Sequence, residues 1–293
     1  MMEVNRIFLG DAFELIKGIP DGSVDLVLTS PPYGIGKEYE RRSKTLEKYM
    51  SIFRPMCAEC VRVLKPTGAV CWQVGNWISK TEETGRYIVP LDAPYFEAFA
   101  KLGMTLRNRI IWIHRTTAYN GSKKIFTPSH ETILWMTKSD DYSFNLTGNV
   151  LIRQKDPAKI YHAFRGGRPV VRKAIPEGID PGDVWDIPFG SNSAERWDHP
   201  AQFPEALARR AVDCFSNPGD LVLDPFAGVG TTLKVAKDLG RQHIGFEKEP
   251  HYYNQAVLRI NGIDQKGQMS LATDYDKVKS LLVKEKERRN ERR

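Results

Sequence analysis

Cysteine is scarce in this chain, and a long uncharged stretch is absent. Cys57, Cys60, Cys71 and Cys214 are its four cysteines in 293 residues, too few and too scattered for a disulfide framework. Only Cys57 and Cys60 lie close together. A zinc site would need a second ligand pair at comparable spacing, and His114, His130 and His199 are not arranged to supply it. No metal is therefore expected, and the two thiols read as ordinary residues of a helix. No run approaches ~18 uncharged apolar residues, which leaves no candidate for a membrane-spanning helix. "MMEVNRIFLGD" at the start has neither an apolar signal core nor a cleavage site, so a cytoplasmic protein without a membrane partner is expected. A Walker loop, G-x-x-x-x-G-K-[ST], does not occur, and neither does any internal repeat or low-complexity block.

What is present is enough apolar material for a large core, 41% of residues. Forty-three Lys and Arg against 36 Asp and Glu give a net charge of +7, a mild excess that suits a polyanionic partner. Short apolar runs alternate with amphipathic stretches, the rhythm of an α/β fold with a doubly wound, mostly parallel sheet. The strand candidates are "RIFLG", "VDLVLT", "AVCWQVG", "RIIWIHR", "TILWMTK", "DLVLD" and "RQHIGFE". Among the helix candidates, "TLEKYMSIFRPMCAECVRVLKP" carries Leu46, Met50, Phe53, Cys57, Val61 and Leu64 at helical spacing and closes on "KPTG". "DAPYFEAFAKLG", "QFPEALARRAVDCF", "TTLKVAKDLG" and "PHYYNQAVLRI" complete the set.

Two strand ends carry unusual chemistry. "VDLVLT" runs into Ser30, Pro31, Pro32 and Tyr33, and prolines cannot donate to a ladder, so the strand stops there and something is held rigidly at its end. The second is "DLVLDPFAGVGTTLKVAKDLGRQHIGFEKEP", a strand ending at Asp224, a turn with Gly228 and Gly230, a helix, and a strand ending at Glu247. Glycines let backbone approach a ligand, a helix start offers free N–H groups, and an acid at the second strand end suits a ribose diol. A dinucleotide would favour a third glycine, where this chain has Leu233. Asp224 places a carboxylate where an ammonium would sit, which favours an amino-acid-bearing nucleoside such as S-adenosylmethionine.

Together, "TSPPY" and the later "DPFAGVGT" resemble the DNA amino-methyltransferases, specifically the beta group, in which the catalytic motif precedes the cofactor motif. "LGDAFELI", "CVRVLKPTGAVCW", "PSHETILWMTK", "DVWDIP", "HPAQFP" and "GFEKEPHYYNQAVLRI" match as well. The resemblance implies a methyltransferase-type sheet with S-adenosylmethionine as cofactor and double-stranded DNA as partner. Asp224, Phe226, Gly228 and Gly230 then correspond to the cofactor loop, with Glu247 on the ribose hydroxyls and Asp11 near the adenine. His199 and Pro200 lie near the methionine end, and Thr231 on its carboxylate. A paired restriction endonuclease or a solitary role are both open, as are a monomer and a homodimer.

In such an enzyme the target base is flipped out of the duplex. Its exocyclic amine is a poor nucleophile, because the lone pair is delocalised into the ring. Two acceptors aimed at its N–H bonds, Ser30 Oγ and the Pro31 carbonyl, hold it in a reactive geometry, while consecutive prolines fix the carbonyl and Tyr33 stacks on the ring. In the resembled group an aspartate at the first motif position goes mostly with adenine N6 and a serine mostly with cytosine N4. A serine hydroxyl can also donate, for instance toward ring N3 of cytosine. Cytosine N4 is the expected target, with adenine N6 as the alternative. Attack on cytosine carbon-5 is disfavoured, since no Pro-Cys dipeptide supplies its nucleophile. A DNA-binding protein that had lost catalysis is argued against by the intact Ser30, Pro31, Pro32, Tyr33, Asp224 and Glu247.

The expected organisation is a catalytic part at 1–138, a basic insertion at 139–183, a cofactor part at 184–262 and a charged tail at 263–293. From Arg153 to Lys173 the insertion holds seven basic residues against one acid, with Tyr161, His162 and Phe164 among them. Basic residues interleaved with aromatics suit a nucleic-acid surface. Arg165, Arg168, Arg172 and Lys173 are the expected DNA contacts there. Arg41 and Arg42, in the polar stretch after the first motif, are expected on a flap over the base or backbone.

Overall fold

Apolar runs without alternation form strands covered on both faces, and that is how this chain builds its sheet. The computed structural model describes residues 2–33, 45–81, 85–114, 126–146, 161–165, 168–172, 180–189, 197, 199, 202 and 204–263. In chain order the first half runs β1 (Arg6–Leu9), α1 (Ala12–Leu15), β2 (Val24–Thr29), α2 (Leu46–Val63), β3 (Leu64–Val74), β4 (Asn76–Thr81), β5 (Gly85–Pro90), α3 (Asp92–Lys101), β6 (Thr105–Ile113) and β7 (His130–Thr137). Then come β8 (Tyr161–Arg165), β9 (Arg168–Arg172), β10 (Val184–Asp186), α4 (Glu205–Phe215), β11 (Leu221–Asp224), α5 (Thr231–Asp238), β12 (Gln242–Glu247) and α6 (Pro250–Ile260).

Eight strands form the main sheet in the order β1-β12-β11-β2-β3-β7-β6-β10. β7 is antiparallel to both of its neighbours, β3 and β6, and the remaining pairs are parallel. On one face Val27, Val70, Trp72, Leu134 and Met136 pack with Met50, Phe53, Met56, Tyr95 and Phe99 of α2 and α3. On the other, Leu26, Leu28, Cys71, Ile133 and Trp135 pack with Leu207, Ala208, Val212 and Val235 of α4 and α5. Alternate residues of the same strand thus enter different cores, the expected doubly wound arrangement. None of the described helices is long and apolar enough to cross a membrane.

The structure departs from the sequence expectations at several elements, among them the short helix α1 and the antiparallel pair β4 and β5, none of which is among the candidates. Leu64, placed at the end of a helix by its spacing, is the first residue of β3 and pairs with Val24, because Lys65 precedes Pro66 and is driven away from the helical region. "DVWDIP", unassigned as an element, supplies the edge strand β10, with Trp185 buried. The basic segment without helical periodicity contains a two-stranded ladder, β8 against β9, pairing Arg165 with Arg168 and Tyr161 with Arg172. Gly166 and Gly167 separate these strands in the sequence, a pair favoured in two-residue hairpin turns.

Candidate active site

Connections from β11 lead through α5 to β12 on one side, and those from β2 lead through α2 to β3 on the other. The sheet therefore has its switch point between β11 and β2, where open α/β sheets place ligands beyond the strand ends. Thr29 and Asp224 close those two ends, and Thr29 Oγ1 donates to Asp224 Oδ1 at 2.6 Å. Asp224 is 2% exposed. Burial pushes its carboxyl up to about 6, against the hydrogen bonds from Thr29 and the Phe226 amide. No Lys or Arg among the described residues forms an ion pair with it. A buried carboxylate without a cation gains from an ammonium brought beside it.

The loop after β11 turns tightly, Gly230 N donating to Ala227 O at 2.8 Å and Ala227 N to Phe246 O at 2.9 Å. Gly228 and Gly230 have φ of +53° and +74°, a region side chains rarely adopt. A Cβ on Gly228 would lie 3.2 Å from His199 Nε2, so the histidine sits directly against the loop. The ring of His199 meets Tyr252 edge-on at 4.5 Å. Thr231, at the start of α5, is buried and its Oγ1 accepts from Arg259 Nη1 at 2.8 Å; Arg259 Nη2 donates to Glu205 Oε1 at 2.9 Å. Its hydroxyl thus braces α5 against α4 and α6.

Glu247 closes β12, and its Oε1 accepts from Glu249 N at 2.7 Å. Burial raises its carboxyl, with the amides of Glu249 and Gly228 working the other way. β1 lies beside β12, with Leu9 opposite Glu247, so the exposed Asp11 follows at the same sheet edge and caps α1 by accepting from Phe13 N at 2.9 Å. Phe226 is half-buried among Phe13, Phe53 and Trp72.

At the end of β2, Ser30 Oγ and Tyr33 Oη lie 3.2 Å apart. The Tyr33 hydroxyl faces two acceptors, Gln73 Oε1 at 3.0 Å and Glu131 Oε2 at 3.1 Å. Gln73 Nε2 also donates to Glu131 Oε2. Burial and then the Glu131 charge hold the phenol well above its ordinary range. The Pro32 carbonyl accepts from Tyr49 Oη at 2.9 Å, and Tyr49 in turn meets Tyr95 Oη at 2.7 Å. Gly75 makes room for this packing, since a Cβ there would lie 3.0 Å from Glu131 Oε1 and 3.1 Å from Tyr33 Cε2.

A family model described as DNA methylase, N6_N4_Mtase, matches residues 24–258. The chain belongs to this DNA methylase family. The methylase is 40% identical over 260 residues to the type II methyltransferase M.BglII of Bacillus subtilis, a match covering 88% of this chain and 69% of the relative. It is 32% identical over 266 residues to the DNA adenine methyltransferase YhdJ of Escherichia coli K12, covering 88% and 83% of the two chains. Among solved structures, TTHA0409 of Thermus thermophilus complexed with S-adenosyl-L-methionine aligns with a TM-score of 0.60 at 29% identity, covering 88% of this chain and 96% of that one. The PvuII cytosine-N4-specific DNA methyltransferase shares the fold, with a TM-score of 0.68 at 20% identity over 96% and 92% of the chains. The family uses S-adenosylmethionine as cofactor, and the cradle of this methylase fits it: a buried carboxylate with no cationic partner among the described residues, suited to an ammonium, and glycines where a Cβ would crowd the loop.

Of the residues expected to act in the methylase, Ser30, Pro31, Pro32, Tyr33, Asp224, Phe226, Gly228, Gly230, Thr231, Glu247, Asp11 and His199 gather along one end of the sheet. Arg165, Arg168 and Arg172 belong to the β8–β9 ladder, outside the main sheet. Arg41, Arg42, Lys173 and Pro200 fall outside the described residues. Sequence reasoning missed Gln73, Tyr49 and above all Glu131. The available signal was an acid at the start of the otherwise apolar "HETILWMT". Because β7 runs antiparallel to β3, its first residues arrive at the edge where the parallel strands end. Cys57 and Cys60 are buried in α2, and burial pushes the Cys57 thiol up to about 12.

Proposed function

We propose that this DNA methylase transfers a methyl group from S-adenosylmethionine to the exocyclic N4 amine of a cytosine flipped out of double-stranded DNA. The observation that carries the reading is the adjacency of Ser30 to the Thr29–Asp224 bridge, which sets an amine acceptor beside an ammonium acceptor on neighbouring strand ends. When bound, S-adenosylmethionine supplies an electrophilic sulfonium methyl, open to direct in-line attack. Asp224 holds the ammonium, Glu247 the ribose hydroxyls and Asp11 the adenine side. His199 and Pro200 line the methionine end, Phe226, Gly228 and Gly230 shape the loop, and the start of α5 at Thr231 faces the carboxylate. Ser30 Oγ and the Pro31 carbonyl accept from the target amine, an arrangement set before the base arrives, so little reorganisation remains. Tyr33 offers its ring to the base, and its anchored hydroxyl fixes where that ring lies.

Serine at the first motif position favours cytosine by the family correspondence. Adenine N6 is the second reading, supported by the 32% identity to YhdJ. Residues 139–183 form the target-recognition region between a catalytic part at 1–138 and a cofactor part at 184–262, with 263–293 as a tail. Arg165, Arg168, Arg172 and Lys173, with Arg41 and Arg42, contact DNA in this reading. Identity to M.BglII supports a restriction-modification setting. Incubation with S-adenosylmethionine and unmodified genomic DNA, followed by digestion and mass spectrometry of the nucleosides, tests the proposal. N4-methylcytosine is expected; N6-methyladenine would move the assignment to the second reading, and no methylated nucleoside would refute both.

A further inference from the structure

The hydrogen bonds around Tyr33 have a forced direction. Gln73 Oε1 and Glu131 Oε2 carry no proton to give, and the amide of Gln73 is oriented by its own bond to Glu131. The single Tyr33 proton is therefore committed to these acceptors, and in the 3.2 Å contact between Ser30 Oγ and Tyr33 Oη the donor is Ser30. With its proton spent on Tyr33 rather than on a base ring nitrogen, Ser30 presents only lone pairs to an incoming amine.

We infer that Glu131 is a positioning residue for methyl transfer: as terminal acceptor of the Ser30–Tyr33–Glu131 chain it makes Ser30 an acceptor and receives the proton that the amine loses. The inference rests on the assignment of Ser30 to the target amine. As the amine lone pair forms the new N–C bond and the C–S bond breaks with its electron pair going to sulfur, the nitrogen carries one proton too many. Ser30 Oγ takes that proton and passes its own to Tyr33 Oη, which passes its own to Glu131 Oε2. The N–H electron pair returns to nitrogen, the hydroxyls end as they began, and Glu131 ends protonated. Glu131 is partly exposed, so the proton can be returned to water.

Single-turnover methylation of unmodified genomic DNA, with S-adenosylmethionine affinity measured in parallel, tests this on the full chain. Glu131→Gln and Tyr33→Phe should each slow the transfer by about 100-fold, the low end for a positioned proton acceptor, with cofactor affinity unchanged. Because both cut one chain, the double variant should be no slower than the slower single one. A role of Glu131 in packing alone predicts losses that multiply, and this result would overturn the inference, as would Glu131→Gln at the wild-type rate. Should Glu131→Gln fail to fold, Tyr33→Phe decides, and an undiminished rate there rejects the chain. Ser30→Ala separates the two levels: full activity there removes the site assignment itself, whereas an inactive Ser30→Ala beside an active Glu131→Gln removes only the role of Glu131.

Discussion

Asp224 gives the proposed cofactor site a pH dependence that can be worked through. Burial raises its carboxyl from the ordinary 3.8 to about 6. The ionised form is thus disfavoured by roughly 3 kcal/mol in the ligand-free protein, at about 1.4 kcal/mol per pH unit. Only the carboxylate attracts an ammonium, so binding must remove the proton wherever the free protein still holds it. Affinity for S-adenosylmethionine should therefore rise by about 10-fold from pH 5 to pH 7 and flatten above. Isothermal titration calorimetry across that range measures it. His199 and Glu247 also border the site, and 5′-methylthioadenosine, which has the nucleoside but no ammonium, reports their share. The steep rise should be confined to the amino-acid-bearing ligand and should vanish in Asp224→Asn. Equal affinity at pH 5 and pH 7 in the unaltered protein, or an unchanged slope in Asp224→Asn, would refute the pairing.

The same shift has a consequence for ligand-free stability. A raised carboxyl stabilises the fold below its unfolded value and loses that contribution as pH climbs through about 6, so thermal melts should show Asp224→Asn gaining on the unaltered protein between pH 4 and pH 7, by up to roughly 3 kcal/mol. Ser30→Ala should abolish methylation while calorimetric cofactor affinity changes little; retained full activity would show that the amine is held elsewhere. Gly228→Ala should lower stability by about 1 kcal/mol or more and weaken cofactor binding, since the new Cβ meets His199 in a left-handed backbone, and urea unfolding with calorimetry checks both. Tyr49→Phe removes the hydrogen bonds to the Pro32 carbonyl and to the buried Tyr95 hydroxyl and should cost about 1 kcal/mol or more in urea unfolding.

Much of this arrangement was legible in the residues alone. Runs such as "VDLVL" announce strands covered on both sides, and Pro31, Pro32, Gly228 and Gly230 mark where strands end at the proposed site. Leu233 shows how a correct observation can carry a hidden complement. The missing third glycine leaves a leucine on α5, and the close approach of helix to strand is met from the other side, by Gly245 on β12, where a Cβ would collide with the Leu233 side chain. Glu131 was illegible for a topological reason: its neighbours in space, Tyr33 and Gln73, are 98 and 58 residues away in sequence, and nothing local shows that β7 runs backwards. The β8–β9 ladder was hidden by its composition, since its arginines and aromatics read as a binding surface rather than as strand.

The bond between Thr29 and Asp224 joins residues 195 positions apart. A chain emerging from the ribosome carries Ser30 and Tyr33 long before β11 exists to lie against β2. Closing so large a loop is entropically costly, and it comes late in any order of assembly that follows synthesis. Under the proposed assignment, the amine-holding serine of a nascent or truncated chain has no methyl donor beside it. Catalytic competence is thereby tied to completion of the polypeptide through β11.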